Sequence, residues 1–385
     1  MKITTVELFK VPPRWLFLRI GTDEGIVGWG EPIVEGSADT VLGCVNELKQ
    51  YIIGKDPRRI EEIFQILYRC RFYRGGPVFS SAMSGIDQAL WDIKGKYYNV
   101  PAYELMGGAC KDKIMVYYTC GGKDFDTATA SAERSKSFGY KAFKTGWSPM
   151  PHGYIGGYDW VEGASAMSAG LRAGLGSSAI IGIDFHGRGH KSMIKPLVKE
   201  LDQYHYSFYE EPLMPDNIEI LKDIARISST PIAMGERAYL RWGFKDVLEQ
   251  KIVDIIQPDL SHAGGIWECR KIAAMAETYD VAVAPHCPLG PIAFASCLQL
   301  DACTPNSSIQ EQGAIGVHDT SEKNVALSYL KDREVFGFKD GYVKVPEGPG
   351  LGIEINEEYV REQAKIGHSW INPVLTMDDG TPTEW

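Results

Sequence analysis

The chain has 385 residues, of which 44% are hydrophobic and 23% charged, and its net charge of −10 argues against a nucleic-acid partner. No run reaches the roughly 20 apolar residues of a membrane span, and the first residues, MKITTVELFKVPPRW, do not resemble a signal peptide. The eight cysteines form no CxxC pair, so we expect free thiols in a reducing compartment and a cytoplasmic protein.

The first hundred residues predict a small α+β unit. Segments 5–9 and 16–20 alternate polar and apolar residues, which is typical of half-buried strands. Stretches with helical apolar spacing follow them. This region lacks the regular pattern that begins after residue 112.

Residues 113–312 predict a β/α barrel. Apolar strand-like segments alternate with segments of helical apolar spacing, which favours parallel strands connected by helices. Eight strands are predicted, at 113–118, 140–144, 179–184, 206–209, 231–235, 253–258, 281–285 and 308–310. A doubly wound open sheet is the alternative, but no GxGxxG motif follows a first strand.

Six of these strands run into an ionisable residue. The residues are Asp184, Glu210, Glu236, Asp259, His286 and Glu311, at intervals of 26, 26, 23, 27 and 25 residues. A strand, a return helix and two short loops take about this many residues. In a barrel the carboxyl ends of all strands meet at one mouth, so these side chains would surround one cavity.

A buried cluster of carboxylates requires a cation to neutralise it. Asp184, Glu210 and Glu236 offer only oxygen, which favours Mg²⁺ over zinc. Asp259 and His286 end adjacent strands, and a carboxylate that orients an imidazole is typical of a histidine base. The sequence therefore predicts a magnesium site beside a catalytic histidine.

The stretch GIDFHGRGH, at 182–190, places Asp184 and His186 two residues apart. On a strand this spacing puts both side chains on one face. A hydrogen-bonded pair at a strand end is the structural alternative to a functional pair, and the stretch alone does not separate them.

Together these residues resemble the enolase superfamily, mandelate racemase subgroup, over nearly the whole chain. Further matching stretches are 25–31 (GIVGWGE), 84–96 (SGIDQALWDIKGK), 184–188 (DFHGR), 257–265 (QPDLSHAGG), 284–291 (APHCPLGP) and 349–352 (PGLG). Within the subgroup the chain is most similar to the galactonate dehydratases.

The resemblance implies a modified (β/α)7β barrel of the TIM type, with an α+β capping domain formed by both ends of the chain. We expect residues 1–112 to form the first part of the cap, 113–325 the barrel, and 326–385 a segment that returns to the cap. Cap loops at 12–15, 31–36 and 73–77 would contact substrate, with Trp15 and Tyr73 as candidates or as interface packing.

The resemblance also implies a reaction. One Mg²⁺ per subunit and Lys144 would bind the substrate carboxylate, and a protonated Glu311 would donate a hydrogen bond to it. The alternative for Glu311 is a salt-bridged residue of the barrel. His286, oriented by Asp259, would remove the proton from C2. His186 would protonate the departing C3 hydroxyl of an aldonate, and the product would become a 2-keto-3-deoxy acid.

One departure from the family pattern favours a dehydratase over a racemase. The racemase carries a second lysine on the second barrel strand, in a KxK pattern. Here that segment is Lys144-Thr145-Gly146, so glycine stands at its position. Arg188 is expected to contact a substrate hydroxyl or Glu236, or else to lie at the surface.

Several alternatives remain open. The loop at 148–163, SPMPHGYIGGYDWVEG, follows the second barrel strand and would shape the substrate pocket. It does not match galactonate dehydratases, so gluconate or another acid sugar is an alternative substrate. Isomerase or cycloisomerase chemistry, a metal-dependent hydrolase and a non-catalytic scaffold are the rival functions. A homo-oligomer, dimer or octamer, is the family expectation.

Overall fold

The computed structural model describes residues 1–147, 155–377 and 379–384. Its N-terminal part is an antiparallel sheet in the order β1-β2-β3, followed by three helices. The elements are β1 (Ile3–Val11), β2 (Trp15–Thr22), β3 (Val27–Gly30), α1 (Ala38–Ile52), α2 (Ile60–Arg69) and α3 (Pro77–Tyr98). The predicted α+β unit is therefore present.

Residues 113–311 form the predicted barrel of eight parallel strands. The strands are β4 (Lys113–Thr119), β5 (Ala142–Gly146), β6 (Ile180–Asp184), β7 (Phe208–Glu210), β8 (Ile232–Met234), β9 (Ile255–Ile256), β10 (Ala282–Val283) and β11 (Gln310–Glu311). They are ordered β10-β9-β8-β7-β6-β5-β4-β11. A parallel bridge between Val283 and Ser307 joins β10 to the residues before β11, which closes the ring.

Helices follow the first seven barrel strands and cover the outside. They are α4 (Phe125–Ser137), α5 (Asp159–Leu175), α6 (Lys191–Leu201), α7 (Ile218–Ile227), α8 (Leu240–Glu249), α9 (Gly265–Glu277) and α10 (Pro291–Ala302). Tyr117 and Ala142 on barrel strands pack with Ala284 and Ile309, which lie next to barrel strands, as a separate buried cluster. Among the described residues, no helix has both the length and the apolar character needed to cross a membrane.

Several barrel strands are shorter than predicted. Strands β9 and β10 contain two residues each, whereas the sequence indicated five or six. Each is followed two residues later by a proline, Pro258 or Pro285, which has no N–H to donate to a neighbouring strand. The side chains beyond these points therefore lie on loops at the barrel mouth.

The C-terminal segment contacts both the barrel and the N-terminal sheet. It contains β12 (Tyr342–Lys344), which pairs antiparallel with β4 of the barrel, and α11 (Glu357–Ile366), β13 (Leu375–Thr376) and β14 (Pro382–Thr383). Arg19 on β2 forms ion pairs with Glu7 at 2.9 Å and with Glu357 at 3.2 Å. The Tyr329 hydroxyl donates to the Pro12 carbonyl at 2.6 Å. These contacts fit a cap made from both ends of the chain, although its limits at residues 112 and 325 stay predictions.

Helix α3 of the cap contacts the barrel through Asp87. The carboxylate of Asp87 is buried and lies against the first turn of the barrel helix α9. Asp87 accepts a hydrogen bond from the backbone N–H of Trp267 at 3.2 Å. Gly265 begins α9 with φ +89°, and a Cβ there would lie 2.4 Å from Asp87 Oδ2. Burial raises the pKa of Asp87 to about 8, although backbone hydrogen bonds oppose the shift. Its neutral form is therefore favoured in the folded protein.

Asp87→Asn should change how stability depends on pH. An aspartate in the unfolded chain has a pKa of about 3.9. Because the pKa of Asp87 is raised in the folded protein, its contribution to the free energy of unfolding is greatest below about pH 4 and is lost as the pH rises towards 8. Relative to Asp87→Asn, the wild-type free energy of unfolding should fall by up to ~1.4 kcal/mol per pH unit between pH 5 and 8.

Urea unfolding at pH 5, 6.5 and 8 measures this difference. Asp216→Asn, at an exposed position, is the matched control and should follow the wild type at each pH. Parallel pH profiles for the wild type and Asp87→Asn would show that Asp87 is ionised in the folded protein.

Candidate active site

The three predicted metal ligands meet at the mouth of the barrel. Asp184 and Glu210 are the last residues of β6 and β7 and are register partners in the parallel sheet. Glu236 lies two residues beyond the end of β8. One carboxylate oxygen from each residue lies within 4.8 Å of the others. Asp184 and Glu210 are buried, so the arrangement concentrates negative charge in a site of low solvent access.

Lys144 on β5 supplies a cation to this cluster. Its Nζ lies 3.0 Å from Glu210 Oε1, 3.1 Å from Glu311 Oε1 and 3.4 Å from Asp184 Oδ2. Burial alone would lower the pKa of Lys144, but the charges of Glu210 and Glu311 outweigh burial and raise that pKa well above its usual value. Lys144 is therefore a permanent cation at the base of the site.

The carboxylates fit a divalent cation. Glu210 Oε2 is buried and has no hydrogen-bond partner. Burial and the neighbouring charge of Asp184 raise the pKa of Glu210 well above its usual value. An unpartnered buried oxygen beside two further carboxylate oxygens is a donor set that hard divalent cations prefer. Asp184, Glu210 and Glu236 are thus the residues that could hold a metal.

His286 is oriented by Asp259, as the sequence suggested. His286 Nδ1 lies 2.8 Å from Asp259 Oδ2, and the backbone N–H of Ser261 donates to Asp259 Oδ1 at 2.6 Å. An Nδ1 proton shared with Asp259 leaves Nε2 facing the site, where it lies 3.1 Å from Glu236 Oε2. Burial would lower the pKa of His286, but the charges of Glu236 and Glu311 raise it well above its usual value.

Glu311 lies between Lys144 and the backbone of Cys287. Its Oε2 accepts a hydrogen bond from the Cys287 N–H at 2.8 Å. Burial would raise the pKa of Glu311, but the charges of Lys144 and His286 and this hydrogen bond lower it to about 2. Glu311 is therefore an ionised acceptor in this arrangement, and a protonated Glu311 that donates to a bound substrate stays a prediction.

His186 reaches the site by a route that the strand pattern did not predict. Strand β6 ends at Asp184, and His186 has a left-handed backbone with φ +49°. Strand alternation therefore does not explain why the two side chains meet, and that part of the interpretation is wrong. His186 Nε2 nevertheless lies 3.1 Å from Asp184 Oδ2, and the His186 backbone N–H donates to Asp184 Oδ1 at 2.8 Å.

A cavity of about 260 Å³ opens above these residues. Three histidines, His186, His262 and His286, line its barrel side. Arg14, Glu35 and Pro77 line it from the cap, and they come from the three cap loops that the sequence indicated. The cavity therefore has room for a small ligand between the cap and these imidazoles.

Trp15 and Tyr73, the two predicted cap contacts, do not line this cavity. Trp15 is 1% exposed and packs against Phe17 and Tyr329, with ring centroids 6.0 and 5.6 Å away. Tyr73 is 86% exposed and contacts the ring of Phe72. Trp15 is core packing in this structure, and a substrate contact by Tyr73 stays a prediction.

Arg188 is half-buried, and its Nε atom is buried without a hydrogen-bond partner. Arg237, rather than Arg188, is the arginine found beside Glu236, with its Nε 3.8 Å from Glu236 Oε1. Arg237 also pairs with the buried Glu211, Nε to Oε2, at 2.8 Å. Substrate contact by Arg188 stays a prediction.

The predicted loop at 148–163 falls in part on residues 148–154, which lie outside the described residues.

Sequence reasoning missed Glu31, which ties the cap to the loop after His286. Glu31 is fully buried and accepts hydrogen bonds from the backbone N–H groups of Gly290 at 2.7 Å and Ala293 at 3.0 Å. A Cβ at Gly290 would lie 2.7 Å from Glu31 Oε1. Glu31 ends the stretch GWGE, and nothing in the sequence around it indicates a contact with a residue some 260 positions later in the chain.

The barrel, its cap, three strand-end carboxylates and an Asp–His pair define an enzyme of the enolase class. The enolase C-terminal domain-like family model matches residues 127–359. The N-terminal domain model of mandelate racemase / muconate lactonizing enzyme matches residues 4–107. The chain therefore belongs to the mandelate racemase / muconate lactonizing enzyme family.

Relatives and solved structures agree with this assignment. The chain is 50% identical to a D-galactonate dehydratase of Pectobacterium atrosepticum and 47% identical to one of Ralstonia pickettii, with 100% of each chain covered. A crystal structure of an enolase from Agrobacterium radiobacter, described as a putative galactarate dehydratase with bound Na and L-malate, matches with a TM-score of 0.90 at 30% identity and covers 100% of both chains.

Proposed function

We propose that the protein is a magnesium-dependent dehydratase that converts an aldonic acid, D-galactonate in the first place, to a 2-keto-3-deoxy acid. The observation that carries this proposal is the pair of histidines at one cavity, each held by its own carboxylate beside the three-carboxylate cluster. The identity of 46–50% to D-galactonate dehydratases over the full chain supports the substrate.

Asp184, Glu210 and Glu236 would hold Mg²⁺, which, when bound, would act as a Lewis acid on the substrate carboxylate. Mg²⁺ suits a site built from oxygen alone, one ion per subunit. Lys144 lies among the same carboxylates and would attract the carboxylate of the substrate. The substrate would therefore be anchored at the base of the cavity, with C2 and C3 directed towards the histidines.

His286 is the proposed base. Its Nε2 faces the site, and Asp259 fixes the ring and stabilises the imidazolium that forms when the C2 proton is taken. As the C2–H bond breaks, negative charge moves onto the substrate carboxylate. The positive charge of Lys144 stabilises that charge from a fixed position, which lowers the barrier without reorganisation.

His186 is the proposed acid. Its imidazole lies against Asp184 and is 42% exposed at the cavity, where it can reach a substrate hydroxyl. The C3–O bond breaks as His186 gives its proton to the departing hydroxyl, which leaves as water. The resulting enol loses the proton of its C2 hydroxyl, takes up a proton at C3 and becomes the 2-keto-3-deoxy acid.

Gly146 supports dehydration over racemisation. It ends β5 beside Asp184, at the position where a racemase-type lysine would stand. Among the described residues other than its chain neighbours, no atom would lie closer than 3.7 Å to a Cβ at Gly146, so space for a side chain exists there, and glycine itself supplies no base. Proton transfer to the other face of C2 from this strand therefore has no donor.

Purified protein with Mg²⁺ should be assayed against a panel of aldonic and aldaric acids, with formation of 2-keto-3-deoxy acid as the readout. We expect turnover of D-galactonate. If only gluconate or another acid sugar is turned over, the proposed mechanism stands and the proposed substrate is wrong. Absence of dehydration of every acid by protein shown to bind Mg²⁺ would contradict the proposal.

The remaining expectations are also proposals. The net charge of −10 supports the absence of a nucleic-acid partner. All eight cysteines are free, and six are buried, which supports a reducing, cytoplasmic location. The family resemblance supports a homo-oligomer, either a dimer or an octamer.

A further inference from the structure

We propose that Glu35, held by Arg14 and His262, receives the hydroxyl-bearing end of the substrate and makes the site select acids with one carboxylate over acids with two. This inference rests on the proposed dehydratase function. It deepens that function by assigning aldonates over aldarates as the substrate class. It gives a role to a cap residue that the reaction chemistry leaves unused.

Glu35 lies on the loop between β3 and α1, at the cavity. Its side chain is 16% exposed, with Oε2 3.5 Å from His262 Nε2 and Oε1 3.9 Å from Arg14 Nη2. His262 is itself fixed, because its Nδ1 lies 2.9 Å from the hydroxyl of Ser81 on α3. Glu35 is therefore positioned by both the cap and the barrel.

Glu35 lines the cavity from the cap, and a series of contacts connects it to the Asp259–His286 pair. From Glu35 the contacts run to His262, then to Asp259 at 3.7 Å from His262 Nε2, and then to His286. The series continues from His286 to Glu311, 3.8 Å from His286 Nε2, and ends at Lys144, which would bind the substrate carboxylate. An extended acid sugar anchored at Lys144 would thus direct its far end towards Glu35.

The carboxylate of Glu35 is ionised. Burial would raise its pKa, but the hydrogen bond and charge of His262 and the charge of Arg14 lower the pKa to about 2. An ionised carboxylate only accepts hydrogen bonds, so it pairs with a hydroxyl. A second substrate carboxylate at the same place would bring two like charges together, which disfavours an aldarate.

Arg14 is a cation at the same end of the cavity and could attract a second carboxylate. It is already engaged: its guanidinium lies over the ring of Trp370, 5.0 Å from the centroid, and Nη2 lies 3.5 Å from the Pro288 carbonyl. With Glu35 beside it, its charge is partly neutralised. The C-terminal segment that carries Trp370 therefore holds Arg14 against Glu35.

The test compares D-galactonate with galactarate, which differ only at C6. We expect wild-type kcat/KM to favour D-galactonate by about tenfold or more, because the like-charge contact is present only with galactarate. Glu35→Gln keeps the size of the side chain and removes its charge. It should reduce the preference to within about threefold. The exposed Glu322→Gln is the matched control and should keep the wild-type ratio.

Dissociation constants of the two acids, measured with Mg²⁺ on the His286→Asn and the His286→Asn/Glu35→Gln proteins, give a second readout that needs no turnover. An unchanged galactonate-to-galactarate ratio in Glu35→Gln, by turnover or by binding, would overturn the inference and leave the dehydratase function intact. A wild-type preference for galactarate would also overturn it, even if Glu35→Gln does not fold. Dehydration of neither acid would count against the proposed function, and the binding ratio would then decide the role of Glu35.

Discussion

The His286→Asn variant should lose turnover of its acid sugar by about 10³-fold or more, within the range that general acid–base catalysis contributes. Asparagine approximates the size of the imidazole but cannot take the C2 proton. The side chain contacts Asp259 at 2.8 Å and Glu236 at 3.1 Å, and the substitution itself removes none of the three proposed metal ligands. Steady-state kcat with saturating Mg²⁺ measures the effect.

The control for this variant is Mg²⁺ affinity, measured by titration on both proteins. Affinity within about threefold of wild type, with turnover lost, would assign the effect to proton transfer. A His286→Asn protein with more than about a tenth of wild-type turnover would mean that another group takes the proton.

Glu210→Gln should abolish turnover and remove the stabilisation that Mg²⁺ gives to the wild type. A ligand present at 100 times its dissociation constant stabilises the folded state by about 2.7 kcal/mol, and this increment should be absent in the variant. Without metal the variant should be at least as stable as the wild type, because the substitution removes one of three carboxylates that repel each other. Lys144 retains its ion pairs with Asp184 and Glu311.

Melting temperatures with EDTA and with excess Mg²⁺ test both statements. Glu268→Gln is the matched control, because Glu268 is equally buried but pairs with Arg241 outside the site. It should lower the stability and keep the full response to Mg²⁺. A Glu210→Gln protein stabilised by Mg²⁺ as much as the wild type would show that the metal binds elsewhere.

The three clustered carboxylates and the Asp259–His286 pair could be predicted from the sequence, because residues that recur at a regular interval along the chain lie side by side around the mouth of a barrel. Each follows an apolar strand, and parallel strands end on one side. This reasoning gives the position of a residue along the chain but not its backbone conformation. It therefore failed to foresee that His186 lies beyond β6 with φ +49°.

Contacts between the cap and the barrel were beyond such reasoning. Glu35 and His262 are separated by 227 residues, and Glu31 caps a helix that begins at Pro291. A loop can be assigned to the cavity, but which of its residues points inward depends on packing. That is why Arg14 lines the cavity while its neighbour Trp15 is buried in the core.

The ionisation of Glu311 shows the same limit. Burial of a carboxyl group suggests a raised pKa when it is considered alone. The nearby Lys144 and His286 reverse that sign, and both reach Glu311 from other strands. The ionisation state of a buried residue thus depends on neighbouring charged side chains, whose positions the sequence alone does not give.

The exchange of the substrate C2 proton with D₂O, followed by NMR, tests the division of labour between the two histidines most directly. His186→Asn should fail to dehydrate D-galactonate yet exchange its C2 proton, because His286 still takes that proton while the C3 hydroxyl cannot leave. His286→Asn should do neither. Exchange by His286→Asn, or its absence in a folded His186→Asn protein that binds Mg²⁺ and substrate, would contradict the assignment of base and acid.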